Sequence, residues 1–344
     1  MKFEAVTIKD IAKALGLSTS TVSRALRDSY EISPATKKQV LEYAEQINYR
    51  PNPIALSLKE KRSRSIGVIV CEIANSFFSQ AINGIESIAY DKGYNVIISQ
   101  SHESYEREVI DLQYLASRSI DGLLISVSAE TEDFSHLKNL HDRGFPIVFF
   151  DRVAESIHTH KVIVDNFKGA YDATKHLLDN GHQHIANLAG SPHLSITKER
   201  LGGYRKALED HGLIYQESYT EFCLHGGMLY EEVEAALDRF TSLKQIPDAI
   251  VASADKLTTN CLRYFKSKGI KVPEEVALMG FSNLDLTDLL SPSLSVVKQP
   301  AFEMGQLATE LLLQLIESKR PITEFEYKVL PLELMIRESS LKSK

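Results

Sequence analysis

The stretch Thr7–Leu26 reads TIKDIAKALGLSTSTVSRAL, and its spacing predicts two short helices joined by a tight turn. Gly16 stands in that turn, where a residue that easily takes the left-handed backbone conformation is often needed. Apolar residues recur at helical spacing along one side of the stretch. They are Ile8, Ile11, Ala12, Leu15, Val22 and Leu26. A shared core on this side leaves the polar residues of the second helix on the outer face.

Two further features complete the N-terminal part. Ser33-Pro34 combines a capping residue with a proline at the first helical position, which predicts a third helix over residues 34–48. Arg50–Pro53 then breaks regular structure, and the charged run Lys59–Arg64 is typical of an exposed linker. The sequence therefore predicts an all-α head in residues 1–50 and a linking segment in residues 51–64.

The charge of the chain is divided unevenly. The formal net charge is −7, but residues 1–64 contain 12 Lys or Arg against 7 Asp or Glu. The remaining residues contain 27 basic against 39 acidic side chains. A small basic module on an acidic body is the pattern of a protein that binds nucleic acid through one module. A solvated basic face is the alternative, because charge alone does not identify a partner.

From residue 65 onward, short apolar strands alternate with predicted helices, which favours a parallel, doubly wound α/β sheet. About 280 residues exceed one ordinary sheet domain, so we expect two lobes with a cleft between them. Ligands of such sheets bind beyond the carboxyl ends of the strands. The predicted strands are Ile66–Val70, Asn95–Ser99, Gly122–Ser126, Ile147–Phe150, Val162–Val164, Ile185–Ala189, Ala249–Ser253 and Val276–Gly280.

Thr7–Leu26 closely resembles the helix-turn-helix of the lactose/galactose repressor family of bacterial transcriptional regulators. The family's landmarks continue in order through the body: IGVIV at 66–70, NSFF at 75–78, DGLL at 121–124, FDR at 150–152, VDN at 164–166, MGF at 279–281, QP at 299–300 and IRES at 336–339. The resemblance implies a two-lobed body in residues 65–344, similar in fold to periplasmic sugar-binding proteins. It also implies a homodimer that binds a pseudo-palindromic double-stranded operator and is controlled by a small effector, a sugar or a sugar derivative.

The resemblance assigns DNA-contacting roles within the head. The family's base-reading positions fall on Thr19, Ser20 and Arg24, and its phosphate-contacting positions fall on Thr7, Ser18, Ser23 and Thr36. Arginine can bind guanine bidentately, and hydroxyl groups serve bases or phosphates. A three-helix bundle with a polar surface is the alternative. Arg27 stands where the family commonly has Asn, which puts contacts from that turn in doubt.

Residues 47–58 resemble the family's hinge helix, which forms on DNA and pairs with its twin in a dimer. Tyr49 and Asn52 belong to the DNA-binding set that this implies, Ala55 falls at the contact between the two hinges, and Leu58 falls at the wedge that enters the minor groove. A helix this short needs partners to order it. An ordinary proline-rich linker is the alternative.

Asp151 follows a predicted strand and Arg200 opens a predicted helix, so both face the expected cleft. A carboxylate and a guanidinium together can fix several sugar hydroxyls, because one accepts and the other donates hydrogen bonds. A salt bridge between the lobes is the alternative. The full predicted effector-binding set is Asn75, Phe77, Phe78, Asp151, Arg200, Asp255 and Ser282.

Three of these residues have open alternatives, and a fourth departs from the family pattern. Phe77 and Phe78 suit an aromatic wall for a sugar, but buried phenylalanines belong more often to the core. Asp255 lines the site or caps its own helix. Ser282 stands where the family often has an aspartate that binds the effector, so the ligand is not readable by analogy.

Several classes of protein are disfavoured. The three cysteines are far apart without metal-ligand spacing, and no nucleophile–base set, GxGxxG or Walker loop occurs, so we expect no enzyme, metal or cofactor. We expect His182 and His184 in a surface loop and Tyr105–Glu108 on a solvated helix face. The N-terminus lacks a signal-peptide pattern and no apolar run is long enough to cross a membrane, which predicts a cytoplasmic protein. A sugar-binding transport protein with a vestigial head is the main rival, and an enzyme of the doubly wound class is another.

Overall fold

The computed structural model describes residues 6–49 and 62–342. The chain divides into two compact units, residues 1–63 and residues 64–344, which we call the head and the body. Each unit has hydrophobic core clusters of its own. Among the described helices, none combines the length and apolar composition that crossing a membrane requires.

The described residues of the head contain three helices: α1 (Ile8–Leu15), α2 (Thr19–Ala25) and α3 (Pro34–Gln46). The Ser18 hydroxyl caps α2 by accepting from the Thr21 amide at 3.0 Å. Gly16, with a φ of 63°, ends α1 in the left-handed conformation. The core of the head consists of Ile11, Ala12, Val22, Ala25, Val40 and Ala44. Because Val22 and Ala25 face this core, the opposite side of α2 faces solvent.

The first lobe of the body is an α/β layer structure. Its strands are β1 (Ser65–Val70), β2 (Asn95–Gln100), β3 (Gly122–Ile125), β4 (Ile147–Phe150), β5 (Lys161–Val164) and β11 (Tyr327–Leu330). Its helices are α4 (Ser76–Asp91), α5 (Tyr105–Ser117), α6 (Ser135–His141) and α11 (Ala301–Glu317). The strands are all parallel, in the order β11-β5-β4-β3-β1-β2.

The second lobe repeats this architecture. Its strands are β6 (Ile185–Ala189), β7 (Thr220–Phe222), β8 (Ala249–Ala252), β9 (Ala277–Phe281), β10 (Ser295–Lys298) and β12 (Glu333–Met335). Its helices are α7 (Asn166–Asp179), α8 (Ser195–Asp210), α9 (Tyr230–Thr241) and α10 (Asp255–Lys268). The order is β12-β10-β9-β8-β6-β7, and only β12 runs antiparallel to its neighbour.

The chain passes between the two sheets three times. These crossovers follow β5, β10 and β11, so residues 165, 299–300 and 331–332 connect the lobes. The carboxyl ends of the parallel strands of each sheet carry the loops that hold the predicted ligand residues. This is the edge at which open parallel sheets bind ligands.

Two expectations about polar residues are wrong. Glu108 is fully buried rather than solvated, because its carboxylate accepts from the Ser128 amide at 2.6 Å and the Thr131 hydroxyl at 3.0 Å. His182 is only 3% exposed rather than on the surface. Its loop folds inward because the amides of the next two residues, Gln183 and His184, donate to the Asp248 carboxylate.

Glycine allows very close packing of one helix pair in each lobe. In the first lobe, a Cβ at Gly84 on α4 would lie 2.0 Å from the backbone oxygen of Phe302 on α11. In the second lobe, a Cβ at Gly203 on α8 would lie 2.1 Å from the backbone oxygen of Phe167 on α7. Real side chains do not reach such distances, so the helix backbones must separate if either glycine gains a side chain.

Adjacent glycines on α8 test this packing. Gly203→Ala should lower the free energy of unfolding by about 2 kcal/mol, since overpacking a tight interface forces the backbone to shift. Gly202→Ala is the matched control, because its Cβ would meet the Phe167 ring at an ordinary 3.4 Å. We expect it to be neutral or slightly stabilising, as alanine has the higher helix propensity. Urea unfolding of both variants measures the difference, and equal stabilities would contradict the packing argument.

Candidate nucleic-acid interface and ligand cleft

The outer face of α2 is polar and accessible. Thr19, Ser20 and Arg24 are exposed and Ser23 is partly exposed, on the side of the helix opposite the core. Ser18 holds the start of this helix and its hydroxyl also lies 2.8 Å from that of Ser20. The predicted base-reading side chains therefore share one solvent-facing surface.

The remaining DNA-contact predictions lie at the edges of this surface or outside the described residues. Thr7 is exposed at the start of α1, Thr36 is partly exposed in the first turn of α3, and Tyr49 packs partly against the core of the head, where burial raises its pKa. The hinge predictions on Asn52, Ala55 and Leu58 lie outside the described residues.

Arg27 is turned back onto α2. Its Nε donates to the Ser23 carbonyl at 2.9 Å and its Nη2 donates to the Ser23 hydroxyl at 2.8 Å. In this position the guanidinium holds the end of α2 and fixes the Ser23 side chain. Arg27, which departs from the family pattern, thus stabilises the C-terminal end of α2.

In the body, Arg200 on α8 is a buried cation with several acceptors around it. Its Nε donates to Asn166 Oδ1 at 2.8 Å, and its Nη1 donates to the Ser253 carbonyl at 2.7 Å. Its Nη2 lies 3.5 Å from Gln299 Oε1, and the guanidinium stacks 3.8 Å from the centre of the Phe281 ring. Burial lowers the pKa of Arg200 to about 10, so the side chain stays charged at neutral pH.

Asp151 lies at the end of β4 and is 5% exposed. Its φ of 59° is left-handed, a strained conformation for a residue with a side chain. Ser126 donates to its carboxylate at 3.3 Å, and Arg152 Nε lies 3.9 Å away. Burial raises its pKa, although the charges of Arg152 and Arg200 oppose the shift. Arg200 gives its hydrogen bonds to other acceptors, while the side chains of Ser126 and Gln299 also lower the pKa of Asp151.

Gln299 is a site residue that the sequence reasoning did not select. It follows β10 at a crossover, is 7% exposed and accepts from Arg200. Among the described residues its buried Nε2 has no hydrogen bond of standard geometry, but the Gln299 side chain lies close enough to Asp151 to lower the pKa of that carboxyl. Asn283 fixes its backbone from both sides, donating to the Gln299 carbonyl and accepting from the Gln299 amide. The signal that could have found it is the Gln299-Pro300 landmark that the sequence shares with the family.

Asp255 and Ser282 form one unit at the carboxyl ends of β8 and β9. The Ser282 hydroxyl donates to Asp255 Oδ1, and burial raises the pKa of Asp255. Ser282 is 2% exposed, which leaves the carboxylate as the more accessible member of the pair. The structure therefore places a carboxylate beside position 282 although residue 282 itself is a serine.

The aromatic residues after β1 pack inward. Phe77 and Phe78 contact each other edge to face, with ring centres 5.1 Å apart, inside the core of the first lobe. Asn75 caps α4 by accepting from the Phe77 amide at 2.9 Å. These contacts favour the core alternative for both phenylalanines and a capping role for Asn75.

A buried ion pair joins Arg152, the residue after Asp151, to Glu103. Arg152 Nη1 is 2.6 Å from Glu103 Oε2, and its Nη2 donates to Glu103 Oε1 at 3.0 Å. A Cβ at Gly226, in the second lobe, would lie 3.6 Å from Glu103 Oε1. The pair therefore lies where the two lobes approach each other. Its partners are 49 residues apart, so sequence spacing gave no sign of it.

A cavity of about 660 Å³ opens between the lobes. Its first-lobe wall includes Glu132 and its second-lobe wall includes His193, whose Nε2 lies 3.0 Å from Glu132 Oε1. The full lining is Glu132, Asp133, Phe134, Ser135, Lys138, Val153, Glu155, Ser156, His193, Ser195 and Lys198. Val153 lies two residues after Asp151, but none of the predicted effector-binding residues lines this cavity.

Comparisons with known proteins agree with this architecture. The model of the lacI family of bacterial regulatory proteins matches residues 7–52, and that of the periplasmic binding protein-like domain matches residues 174–340. The HTH-type transcriptional repressor PurR of Vibrio campbellii is 32% identical over 338 residues, covering 98% of this chain and 99% of that protein. The chain belongs to the lacI family. It is a DNA-binding transcriptional regulator.

Solved structures extend the comparison to the whole chain. The lac repressor dimer bound to operator and the anti-inducer ONPF is 25% identical, with a TM-score of 0.81 over 98% of this chain and 100% of that one. The transcriptional regulator CelR in complex with cellobiose is 29% identical, with a TM-score of 0.68 over 97% of this chain and 99% of that one. The predicted fold of this lacI-family member, a helix-turn-helix head and a two-lobed body, is confirmed.

The burial of Asp151 predicts a pH-dependent stability difference. Because its pKa is raised above the ordinary 3.8, the folded protein keeps this proton to a higher pH than the unfolded chain does. The contribution of Asp151 to the free energy of unfolding therefore becomes more unfavourable as the pH rises from about 4. This change ends once Asp151 is ionised in the folded protein as well. Asp151→Asn cannot titrate, so its stability relative to the wild type should increase over that interval.

Thermal unfolding of both proteins between pH 4 and pH 7 measures this difference. Asp91→Asn, at the exposed end of α4, changes the net charge equally and serves as the control. A difference between Asp151→Asn and wild type that does not vary with pH would contradict a raised pKa at Asp151.

Proposed function

We propose that this lacI-family member is a cytoplasmic repressor that binds a pseudo-palindromic operator as a homodimer and responds to a sugar or sugar derivative held between the lobes. The observation that carries the proposal is the buried Arg200–Gln299–Asp151 group at the carboxyl ends of the strands, in a chain whose head exposes Arg24 on α2. We assign the helix-turn-helix DNA-binding domain to residues 1–50, the hinge helix and linker to residues 51–64 and the effector-binding and dimerisation domain to residues 65–344.

For DNA binding, we assign base reading to the exposed face of α2. Hydroxyls and a guanidinium suit a major groove, where arginine pairs bidentately with guanine. The proposed base-reading residues are Thr19, Ser20 and Arg24, the proposed phosphate contacts are Thr7, Ser18, Ser23 and Thr36, and the proposed hinge contacts are Tyr49, Asn52, Ala55 and Leu58.

For the effector, we assign the central contacts to Asp151, Arg200 and Gln299, with Asp255 and Ser282 on the neighbouring loops. Carboxylate acceptors beside amide and guanidinium donors match the alternating donor and acceptor character of sugar hydroxyls. The cellobiose bound to CelR is a relative's sugar ligand that supports this class. Inducer and corepressor action are both compatible, since either works through different affinities for two states.

A dimer is supported by apolar side chains at one edge of each sheet. β2 and β7 are edge strands. Exposed apolar residues on or beside them are Ile98, Ile110, Tyr114, Phe222, Leu224 and Leu229. Burial of such residues against a second copy removes apolar surface from water. The lac repressor relative is itself a dimer on its operator.

We propose no catalytic activity, because the relatives are transcriptional repressors. Binding to chromosomal DNA places such a protein in the cytoplasm. The rival, a sugar-binding transport protein with a vestigial head, predicts ligand binding without specific DNA binding. A DNA-binding assay on the intact protein therefore separates the two.

Arg24→Ala tests the DNA assignment. Wild-type protein first selects its preferred double-stranded oligonucleotide from a random pool. We expect Arg24→Ala to lose about tenfold or more in affinity for that sequence, because one bidentate guanine contact disappears. Fluorescence anisotropy at a stated salt concentration measures both proteins. An unchanged base preference would rule out Arg24 as a base reader.

Arg200→Ala tests the effector assignment. A thermal-shift screen of sugars, sugar acids and sugar phosphates identifies a ligand, since a compound that binds only the folded state raises the Tm. Calorimetry should then show affinity reduced by about 10- to 100-fold, because a charged donor is lost. Arg205→Ala on the exposed side of the same helix is the control. Equal affinities of both variants, with folding verified by circular dichroism, would show that the pocket lies elsewhere.

A further inference from the structure

The predicted base reader Arg24 forms an ion pair with another side chain of the head. Its Nη1 lies 2.8 Å from Oε2 of Glu31, a residue in the turn between α2 and α3. Both side chains are accessible, with 54% of Arg24 and 47% of Glu31 exposed. The head therefore presents an acidic group beside the guanidinium on the face that we assign to DNA.

The turn that carries Glu31 is held in place by short-range contacts. The Ser29 amide donates to the Arg24 carbonyl at 3.1 Å, and the Glu31 amide donates to the Ser29 hydroxyl at 3.4 Å. Ile32, the next residue, packs against the core of the head. These contacts fix the distance between Glu31 and the end of α2, so the carboxylate is positioned before DNA arrives.

The neighbouring charges have other partners. Arg27 donates to Ser23, and Lys37 Nζ lies 2.6 Å from Asp28 Oδ1. Among the ion pairs of the described head, Glu31 is thus matched to Arg24 alone. The pair is specific rather than one contact in a diffuse network.

Stability does not explain a carboxylate at this place. An exposed ion pair adds little to the stability of a fold. A negative charge near DNA also weakens binding, because the phosphates repel it. The effect that remains is on Arg24 itself: a guanidinium has five donors, and holding one nitrogen restricts the directions in which the others point.

We propose that Glu31 is a positioning residue that determines DNA specificity. Its carboxylate holds Nη1 of Arg24, so the remaining donors point towards a guanine edge and the guanidinium does not swing to a phosphate. Glu31 thereby lowers affinity for unrelated DNA and raises discrimination at one base pair. This inference rests on the proposed base-reading role of Arg24.

Glu31→Gln in the full-length protein is the test, because it removes the charge and keeps the size of the side chain. The probe is the double-stranded oligonucleotide selected by the wild type, with each base pair substituted in turn. At the base pair that Arg24→Ala identifies, we expect discrimination to fall by about tenfold. Affinity for unrelated DNA should rise. Anisotropy titrations at fixed salt measure both quantities.

Glu42→Gln is the matched control. Glu42 is exposed on α3, pairs with Lys38 at 3.8 Å and gives the same change in net charge. If Glu42→Gln alters the base-preference profile as Glu31→Gln does, the effect is one of net charge and the proposal is wrong. An unaltered profile for Glu31→Gln overturns it equally.

The double variant separates this inference from the proposed function. In an Arg24→Ala background, Glu31→Gln should cause no further change in discrimination, because Glu31 acts through Arg24. A further loss would mean that Glu31 reads a base itself, which overturns the positioning role. If Arg24→Ala alone leaves base preference intact, the base-reading assignment fails and this inference fails with it.

Discussion

The body depends on the hydrogen-bond acceptors that compensate one buried guanidinium charge, that of Arg200. Arg200 is only 3% exposed, and an uncompensated buried cation strongly destabilises a fold. Its acceptors come from three separate places: Asn166 at the start of α7, Ser253 after β8 and Gln299 at a crossover. Satisfying this charge fixes these segments relative to α8. The carboxyl edge of the second sheet is therefore set before any ligand binds, and Asp151 faces it from the first lobe.

The two lobes use the same packing rule and are joined by short crossovers. In each lobe one pair of helices packs very closely, which Gly84 and Gly203 permit. Contacts between the lobes are both polar and apolar. Asn283 Nδ2, after β9, donates to Gln80 Oε1 on α4 at 2.8 Å, and Leu194 and Ile196 of the second lobe join an apolar cluster of the first. Two separately packed lobes joined by short crossovers suit a change in relative orientation, which a ligand drives only if it binds one arrangement better.

Sequence periodicity predicted the elements whose pattern is local. The three helices of the head and all eight predicted strands occur within about two residues of the expected limits. The strands β7, β10, β11 and β12 were missed. Three of them, β7, β11 and β12, lie at sheet edges and are partly exposed, so they lack the continuous apolar run of the buried strands. The prediction for Glu108 was wrong because a charged helix residue was expected to be solvated. Its hydrogen-bond partners come from a loop after β3, which the sequence did not reveal. Long-range polar contacts such as Arg152 with Glu103 leave no periodic signal, so the two lobes were predicted but the contacts between them were not.

The central claim is that ligand binding between the lobes and DNA binding by the head are linked. The most direct measurement is the Kd of the full-length protein for its selected operator oligonucleotide, with and without a saturating amount of the ligand found by thermal shift. We predict that the ligand changes this Kd, and that the oligonucleotide changes the Kd for the ligand by the same factor, because binding linkage is reciprocal. The account would be contradicted if the ligand left the Kd for the oligonucleotide unchanged and the oligonucleotide left the Kd for the ligand unchanged.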